Sequence, residues 1–149
     1  MDNWSEWMEI EHARLGEGPF ADFGIYQIRA INQSGSPISI GRFVGIDTAG
    51  ILYIGRSGFR SQKTGRTLGN RIDEWLKSAH SGGFRFQGVK HLLDASPAFR
   101  GYRLQAQAKV VPDNEIGKAE VASLQGYSSV YAELPPINSS MPSASESHL

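Results

Sequence analysis

The chain of 149 residues contains no cysteine. Disulfide bonds, thiolate zinc sites and cysteine nucleophiles are therefore all excluded. It also contains no apolar run of membrane-spanning length and no basic-then-apolar leader, so we expect an untargeted, soluble, cytoplasmic protein without a membrane partner. A chain of this length predicts one domain around a single modest core.

Two further absences concern phosphate and metal sites. The glycine-rich stretch over residues 55–66 has no Gly-Lys-Ser/Thr sequence and is not a phosphate-binding P-loop. The four histidines do not have the spacing of metal ligands, so a histidine-built metal site is not expected. They are His12, His80, His91 and His148.

Acidic residues are missing from one long stretch. Residues 56–71 contain five basic residues and no acid. The net charge of the chain is zero, but it is unevenly distributed: six acids and one base over residues 1–22 (−5), thirteen bases and four acids over 23–110 (+9), and five acids and one base over 111–149 (−4). A basic region of this kind is typical of a surface that binds a polyanion, although a solvated surface can have the same composition.

The residue pattern predicts four strands. Residues 24–31, 37–46 and 51–55 are short segments rich in β-branched and aromatic residues, and their tight connections favour a small, mostly antiparallel sheet. Residues 101–111 alternate apolar and polar side chains, which indicates a strand with one exposed face.

Helices are predicted on either side of these strands. They cover residues 3–13, residues from about Leu68 to Gly82-Gly83, residues 87–95, and a long segment capped by Asp113 that runs to about Tyr131. The expected fold class is therefore α/β of the α+β type, with a small central sheet flanked by helices.

Glu120 is an acidic residue at an apolar position of the last predicted helix. At about 100° per residue it falls in the middle of an apolar stripe that contains Ile116, Leu124 and Tyr127. Acids are rarely buried unless they are paired or bind a metal. A functional role is therefore favoured over that of an awkward core acid.

Four other candidates have a structural interpretation when each is taken alone. Tyr26 and Tyr53 lie in predicted strands, where a tyrosine is more often a core residue. Arg71 lies on a predicted helix and is more often a solvated residue. Asn138 follows two prolines and can simply end a turn.

Taken together and in this order, the candidates resemble the GIY-YIG nuclease family. Gly24-Ile25-Tyr26 and Tyr53-Ile54-Gly55 match the two signature triplets of the family. They are followed by an arginine on the next helix (Arg71), a glutamate on a later helix (Glu120) and an asparagine after a proline-containing turn (Asn138).

The resemblance implies a nuclease domain over residues 23–139, between an acidic, helical extension (1–22) and a disordered, Ser-rich tail (140–149). The resemblance implies a small central, mostly antiparallel sheet. It also implies cleavage of DNA phosphodiester bonds with one divalent metal. Mg²⁺, or Mn²⁺ in its place, is the cofactor that this implies.

The resemblance also implies a role for each matching residue. Glu120 would bind the metal, and Arg71 would bind the scissile phosphate. Asn138 would orient the metal-binding end of the active site by hydrogen bonding. Tyr26 is favoured as the group that accepts the proton of the attacking water or orients that water. Tyr53 would then be its hydrogen-bonding partner.

The basic loop has a role in the same hypothesis. Arg56, Arg60, Lys63 and Arg66 would add non-specific, salt-sensitive affinity for DNA. Because the chain has no room for a separate sequence-reading domain, specificity would come from this loop, from self-association as a homo-oligomer or from a protein partner.

One position departs from the family pattern and keeps other functions open. The residue one turn after Arg71, often histidine or tyrosine in the family, is Trp75, which cannot transfer a proton. His80 could take that role, although a helix-end residue is the commoner interpretation. The alternatives are a nucleic-acid-binding module of the same fold without turnover, and an interaction domain for an acidic protein.

Overall fold

A computed structural model of the chain describes residues 3–77 and 81–142. Its centre is a four-stranded antiparallel sheet in the order β1-β6-β2-β5, made of β1 (Met8–Glu9), β2 (Gly24–Ile31), β5 (Ile51–Arg56) and β6 (Arg103–Val110). Two very short strands, β3 (Ile40–Gly41) and β4 (Ile46–Asp47), pair with each other in a separate sheet. The α-helices are α1 (Leu68–Leu76), α2 (Ser81–Ala95) and α3 (Asp113–Tyr131), and 3-10 helices cover His12–Gly16, Gly18–Ala21 and Pro97–Phe99.

The predicted α+β fold class is confirmed by this arrangement of sheet and helices. The predicted strands at 24–31 and 51–55 are β2 and β5, which are paired in the sheet. The predicted long helix from residue 113 is α3. Within the described parts of the chain, no helix combines the length and the apolar character needed to cross a bilayer.

Helices cover both faces of the sheet. On one face, Leu68, Ile72 and Trp75 of α1 are fully buried in a cluster with Tyr26 of β2. On the other face, Leu124 of α3 packs against β5. Burying an apolar side chain of this size contributes about 1.5–3 kcal/mol, so the strands that contain both triplets are held firmly from both sides.

The predicted helix at residues 3–13 is wrong. Met8 and Glu9 instead form β1 on the free edge of β6, and the backbone nitrogen of Ile10 donates a hydrogen bond of 3.0 Å to the Leu104 carbonyl. An unpaired strand edge offers backbone partners that a short helix of marginal propensity cannot match. The N-terminal segment is therefore part of the central sheet.

The predicted strand at 37–46 is also wrong over most of its length. Gly45 adopts a positive φ of 77°, and the Arg42 nitrogen bonds to its carbonyl at 3.0 Å, so the chain turns back on itself. Glycine is the residue that adopts this conformation without steric cost. Only Ile40 and Gly41 remain as a strand, opposite Ile46 and Asp47.

Three predicted helix boundaries differ from the structure, including the start of α2, which is Ser81 and not the predicted residue 87. Helix α1 ends at Leu76, and Gly82-Gly83 lie in α2. The residue that caps α3 is Pro112, and Asp113 lies inside the helix. The Asp113 carboxylate instead accepts backbone hydrogen bonds from Arg60 (2.9 Å) and Ser61 (3.0 Å), because those donors of the basic loop have no helical partners.

Candidate active site

The two sequence triplets pack against each other through Gly55. Tyr26 of β2 lies directly opposite Gly55 of β5. A Cβ atom at position 55 would lie 2.6 Å from both the Cζ and the hydroxyl oxygen of Tyr26, and 2.8 Å from Cε2 of Tyr53. The glycine therefore leaves the space that the two tyrosine rings occupy, with their centroids 6.1 Å apart.

We expect Gly55→Ala to lower the free energy of unfolding by about 1–3 kcal/mol, the usual cost of forcing an extra carbon into a packed site. Urea denaturation measures the change. Gly126→Ala is the matched control, because a Cβ on that α3 residue meets nothing within 4 Å. The control should gain about 0.5–1 kcal/mol from the better helix propensity of alanine. An unchanged stability of Gly55→Ala would contradict this close packing of the triplets.

The tyrosines differ in their access to solvent. Tyr26 is only 1% exposed, whereas Tyr53 is partly exposed. Burial raises the pKa of Tyr26 well above its ordinary value, Tyr53 raises it further, and Arg71 opposes the shift. Burial and the charge of Glu120 raise the pKa of Tyr53 to about 12, again against Arg71. Both phenols are therefore protonated near neutral pH, and they share an electrostatic environment with Arg71 and Glu120.

Glu120 lies in a small cleft beside β5. The cleft has a volume of about 150 Å³ and is lined by residues that include Tyr53, Glu120, Asn138, Ser139, Ser140 and Pro142. The Glu120 side chain is only 13% exposed. We call this the carboxylate cleft.

Asn138 attaches the C-terminal segment to β5. Its side-chain oxygen accepts a hydrogen bond from the Ile54 nitrogen, and its side-chain nitrogen donates to the Ile54 carbonyl, both at 2.9 Å. The next residue back, Ile137, donates its backbone nitrogen to the Leu52 carbonyl at 2.9 Å. The Asn138 amide thus reproduces a strand pairing at the sheet edge, and it positions the wall of the carboxylate cleft.

A second cleft, of about 180 Å³, is formed by the basic loop and α1. It is lined by Arg56, Arg66 and Arg71, with Gln62 and Thr64 among the remaining residues, and we call it the arginine cleft. The Nε atom of Arg56 lies 3.5 Å from Oε1 of Glu120 in the carboxylate cleft. This ion pair joins the two clefts.

Arg60 is turned toward the protein. Its guanidinium donates to the Asp22 carboxylate at 2.7 Å and to the Val111 carbonyl at 2.8 Å, and it lies 5.4 Å from the Phe23 ring centroid. Arg60 therefore anchors the basic loop to the rest of the protein. In this arrangement its guanidinium is poorly placed to contact DNA. Lys63 of the same loop is exposed.

Trp75 occupies the core behind the tyrosines. It is fully buried, stacks on Phe86 at 4.4 Å between ring centroids, and lies 5.6 Å from the Tyr53 ring. This side chain therefore supports Tyr53 by packing. His80, the suggested substitute for a proton-transferring residue at this position, lies outside the described residues, as do residues 143–149 of the predicted tail.

Sequence reasoning missed two carboxylates. Asp47 is buried, accepts three backbone hydrogen bonds of 2.9–3.1 Å from residues 49–51, and accepts another from the Tyr127 hydroxyl. Its role is to hold the turn before β5. Glu74 lies between Arg66 and Arg71. Its spacing of three residues from Arg71 was the available signal.

The donor atoms of the carboxylate cleft suit a hard divalent cation. Over residues 3–77 and 81–142 no group of three or more His, Cys, Asp or Glu side chains could hold a metal ion. Mg²⁺ is commonly bound through one or two carboxylates and retains several of its waters. The Glu120 carboxylate, in a cleft that two serines also line, fits that mode of binding, whereas the Asn138 amide is already bonded to the Ile54 backbone.

Comparisons of the chain with known protein families, with curated proteins and with solved structures found no match. The resemblance to GIY-YIG nucleases therefore rests on the two triplets and on the three residues that follow them. Tyr26, Tyr53, Arg71 and Glu120 are linked electrostatically in the fold, and Asn138 lies on the wall of the same cleft.

Proposed function

We propose that this protein is a divalent-metal-dependent endonuclease of the GIY-YIG type that hydrolyses DNA phosphodiester bonds. The observation that supports this most strongly is the junction of the two clefts at the Arg56–Glu120 pair. A carboxylate for a metal and three arginines for phosphate oxygens are adjacent there, beside two tyrosines. Hydrolysis of a phosphodiester requires these chemical groups next to one another.

The arginines would bind and neutralise the phosphate. A guanidinium is planar and carries five N–H donors in a fork that matches phosphate oxygens. Arg71, on the rigid helix α1, would bind the scissile phosphate, and Arg56 and Arg66 would contact the same group or its neighbours. Glu120 would hold Mg²⁺ or Mn²⁺, and a bound ion of this type supplies Lewis-acid stabilisation of the developing charge.

The burial of the tyrosines favours a division of roles opposite to the one that the resemblance favoured. Tyr53 lines the carboxylate cleft, whereas Tyr26 is almost completely buried and is not among the lining residues. We therefore assign the orientation of the attacking water to the Tyr53 hydroxyl, with Tyr26 in support. With a pKa of about 12, the Tyr53 phenol is a donor near neutrality. It would accept a proton only when nearby cations lower that pKa.

A nicking assay on supercoiled plasmid tests the proposal. The purified protein should convert the plasmid to open-circular DNA with Mg²⁺ or Mn²⁺, and EDTA should stop the reaction. Binding of DNA without nicking under any of these conditions would favour a nucleic-acid-binding module of the same fold. The buried Trp75, at a position where the family often has a proton-transferring residue, is the observation that supports this second candidate.

Binding to DNA should depend on salt through the arginine cleft and Lys63. We expect the logarithm of the affinity to fall linearly with the logarithm of the salt concentration. Lys63→Gln combined with Arg66→Gln should make that slope shallower by about 1 for each DNA phosphate that the variant no longer neutralises. Fluorescence anisotropy with a labelled duplex, without divalent metal, measures the slopes.

Arg60→Gln is the control for this measurement. It removes one positive charge from the same loop, where the double variant removes two, but the Arg60 guanidinium is bound to Asp22 and Val111. This variant should leave the slope nearly unchanged. An equal change of slope per removed charge in Arg60→Gln would mean that the loop rearranges on DNA, and an unchanged slope in the double variant would exclude the loop from the interface.

A further inference from the structure

Glu74 connects the basic loop to α1 through two arginines. Its Oε1 atom lies 3.3 Å from Nη1 of Arg71, which precedes it by three residues in the same helix. Its Oε2 atom lies 3.2 Å from Nε of Arg66, at the end of the loop. Each oxygen of one carboxylate is thus used by a different guanidinium, and both guanidiniums line the arginine cleft.

Neither stability nor DNA affinity explains this carboxylate. The Arg66 side chain is 61% exposed, and ion pairs of such exposed groups contribute little to folding. The Arg71–Glu74 pair is less exposed, at 34% and 21%, but a pair three residues apart on a helix also contributes little. An acid beside a basic cleft also lowers the attraction of that cleft for a polyanion. Glu74 instead affects geometry. Without it, the long side chains of Arg66 and Arg71 would move independently and would have to be ordered when a phosphate binds.

We propose that Glu74 is a positioning residue that directs Arg66 and Arg71 together toward one phosphate in the arginine cleft. This inference rests on the proposed function of the site. Each guanidinium has five N–H donors, and the close contacts with Glu74 are made by Nε of Arg66 and Nη1 of Arg71, so the pairing can persist while other donors bind phosphate oxygens. Glu74 weakens the general attraction for DNA, and it aligns the reacting phosphate.

Glu74→Gln separates alignment from attraction. It preserves the shape of the side chain and removes its charge. We expect kcat for plasmid nicking to fall by about tenfold or more, since misplacing a reacting group by a small distance can cost up to about a hundredfold. KM should stay the same or decrease, because a negative charge has been removed near DNA. The melting temperature should remain that of the wild type.

Asp73→Asn is the matched control. It removes one negative charge from the adjacent position of α1, where Asp73 pairs with Lys77 at 2.8 Å. We expect it to leave kcat unchanged. Equal effects of the two variants on kcat, or a normal kcat in Glu74→Gln, would overturn the inference.

A second measurement does not depend on cleavage. In NMR spectra of the arginine Nε–H groups, titration with inorganic phosphate should shift Arg66 and Arg71 together, with one shared dissociation constant. In Glu74→Gln the two should respond separately or more weakly, whereas Asp73→Asn should behave as the wild type does. If this pattern holds in a protein that cannot nick DNA, the proposed function fails and the positioning role stands. If nicking occurs and the pattern is the same in all variants, the positioning role fails.

Discussion

Replacing Glu120 by glutamine is expected to reduce DNA cleavage by at least about a hundredfold, since changing even groups that only support a metal ligand costs up to that amount. Among the described residues that line the carboxylate cleft, Glu120 is the only acid. Glutamine keeps the volume and can still accept a hydrogen bond, so the fold should be retained. Plasmid nicking over a range of Mg²⁺ and Mn²⁺ concentrations measures the loss.

DNA binding without metal should persist in Glu120→Gln and become equal or tighter. In this variant the Arg56 guanidinium no longer has the Glu120 carboxylate as its partner, so it becomes available for phosphate. Glu115→Gln is the control, since Glu115 is an exposed acid on the same helix. It should retain full activity. A Glu120→Gln protein with normal cleavage and increased stability would show that Glu120 is an awkward core acid.

Removing the Tyr53 hydroxyl is expected to give the second large effect. Tyr53→Phe keeps the ring contacts with Tyr26 and Trp75 and removes only the oxygen from the wall of the carboxylate cleft. Misplacing a reacting group by about 1 Å can cost about a hundredfold, so we expect a loss of about a hundredfold in single-turnover cleavage when the hydroxyl that orients the attacking water is removed, with DNA binding retained. Tyr26→Phe should lose less, because Tyr26 is almost completely buried and does not line the carboxylate cleft.

Tyr131→Phe provides the control for both tyrosine variants. Tyr131 packs on Tyr127 at 4.7 Å between ring centroids, at the far end of α3, and its hydroxyl should not affect cleavage. If Tyr26→Phe is the more damaging variant, the two roles are the reverse of those assigned here. If neither hydroxyl affects the rate, the catalytic proposal fails, and a binding module becomes the better interpretation.

Local sequence patterns determined the parts of the fold that carry the site. The β-branched and aromatic residues of β2 and β5 predicted both strands, because such residues suit a buried, pleated surface. The apolar periodicity of α3 predicted its helix and showed that Glu120 lies on the face packed against the protein. These features depend on residues close together in the chain, so a pattern in the sequence is enough to indicate them.

Tertiary structure alone decided how the polar side chains are used. Arg60 and Arg66 have the same chemistry and lie in one loop, yet Arg60 is bound to Asp22 and Val111 whereas Arg66 lines the arginine cleft. Asn138 pairs with the backbone of Ile54, which lies 84 residues away in sequence. A side chain of this kind has several possible partners of similar energy, and the choice depends on which of them folding brings within hydrogen-bonding distance. The N-terminal strand has the same origin, because the edge that it covers on β6 exists only once the sheet has formed.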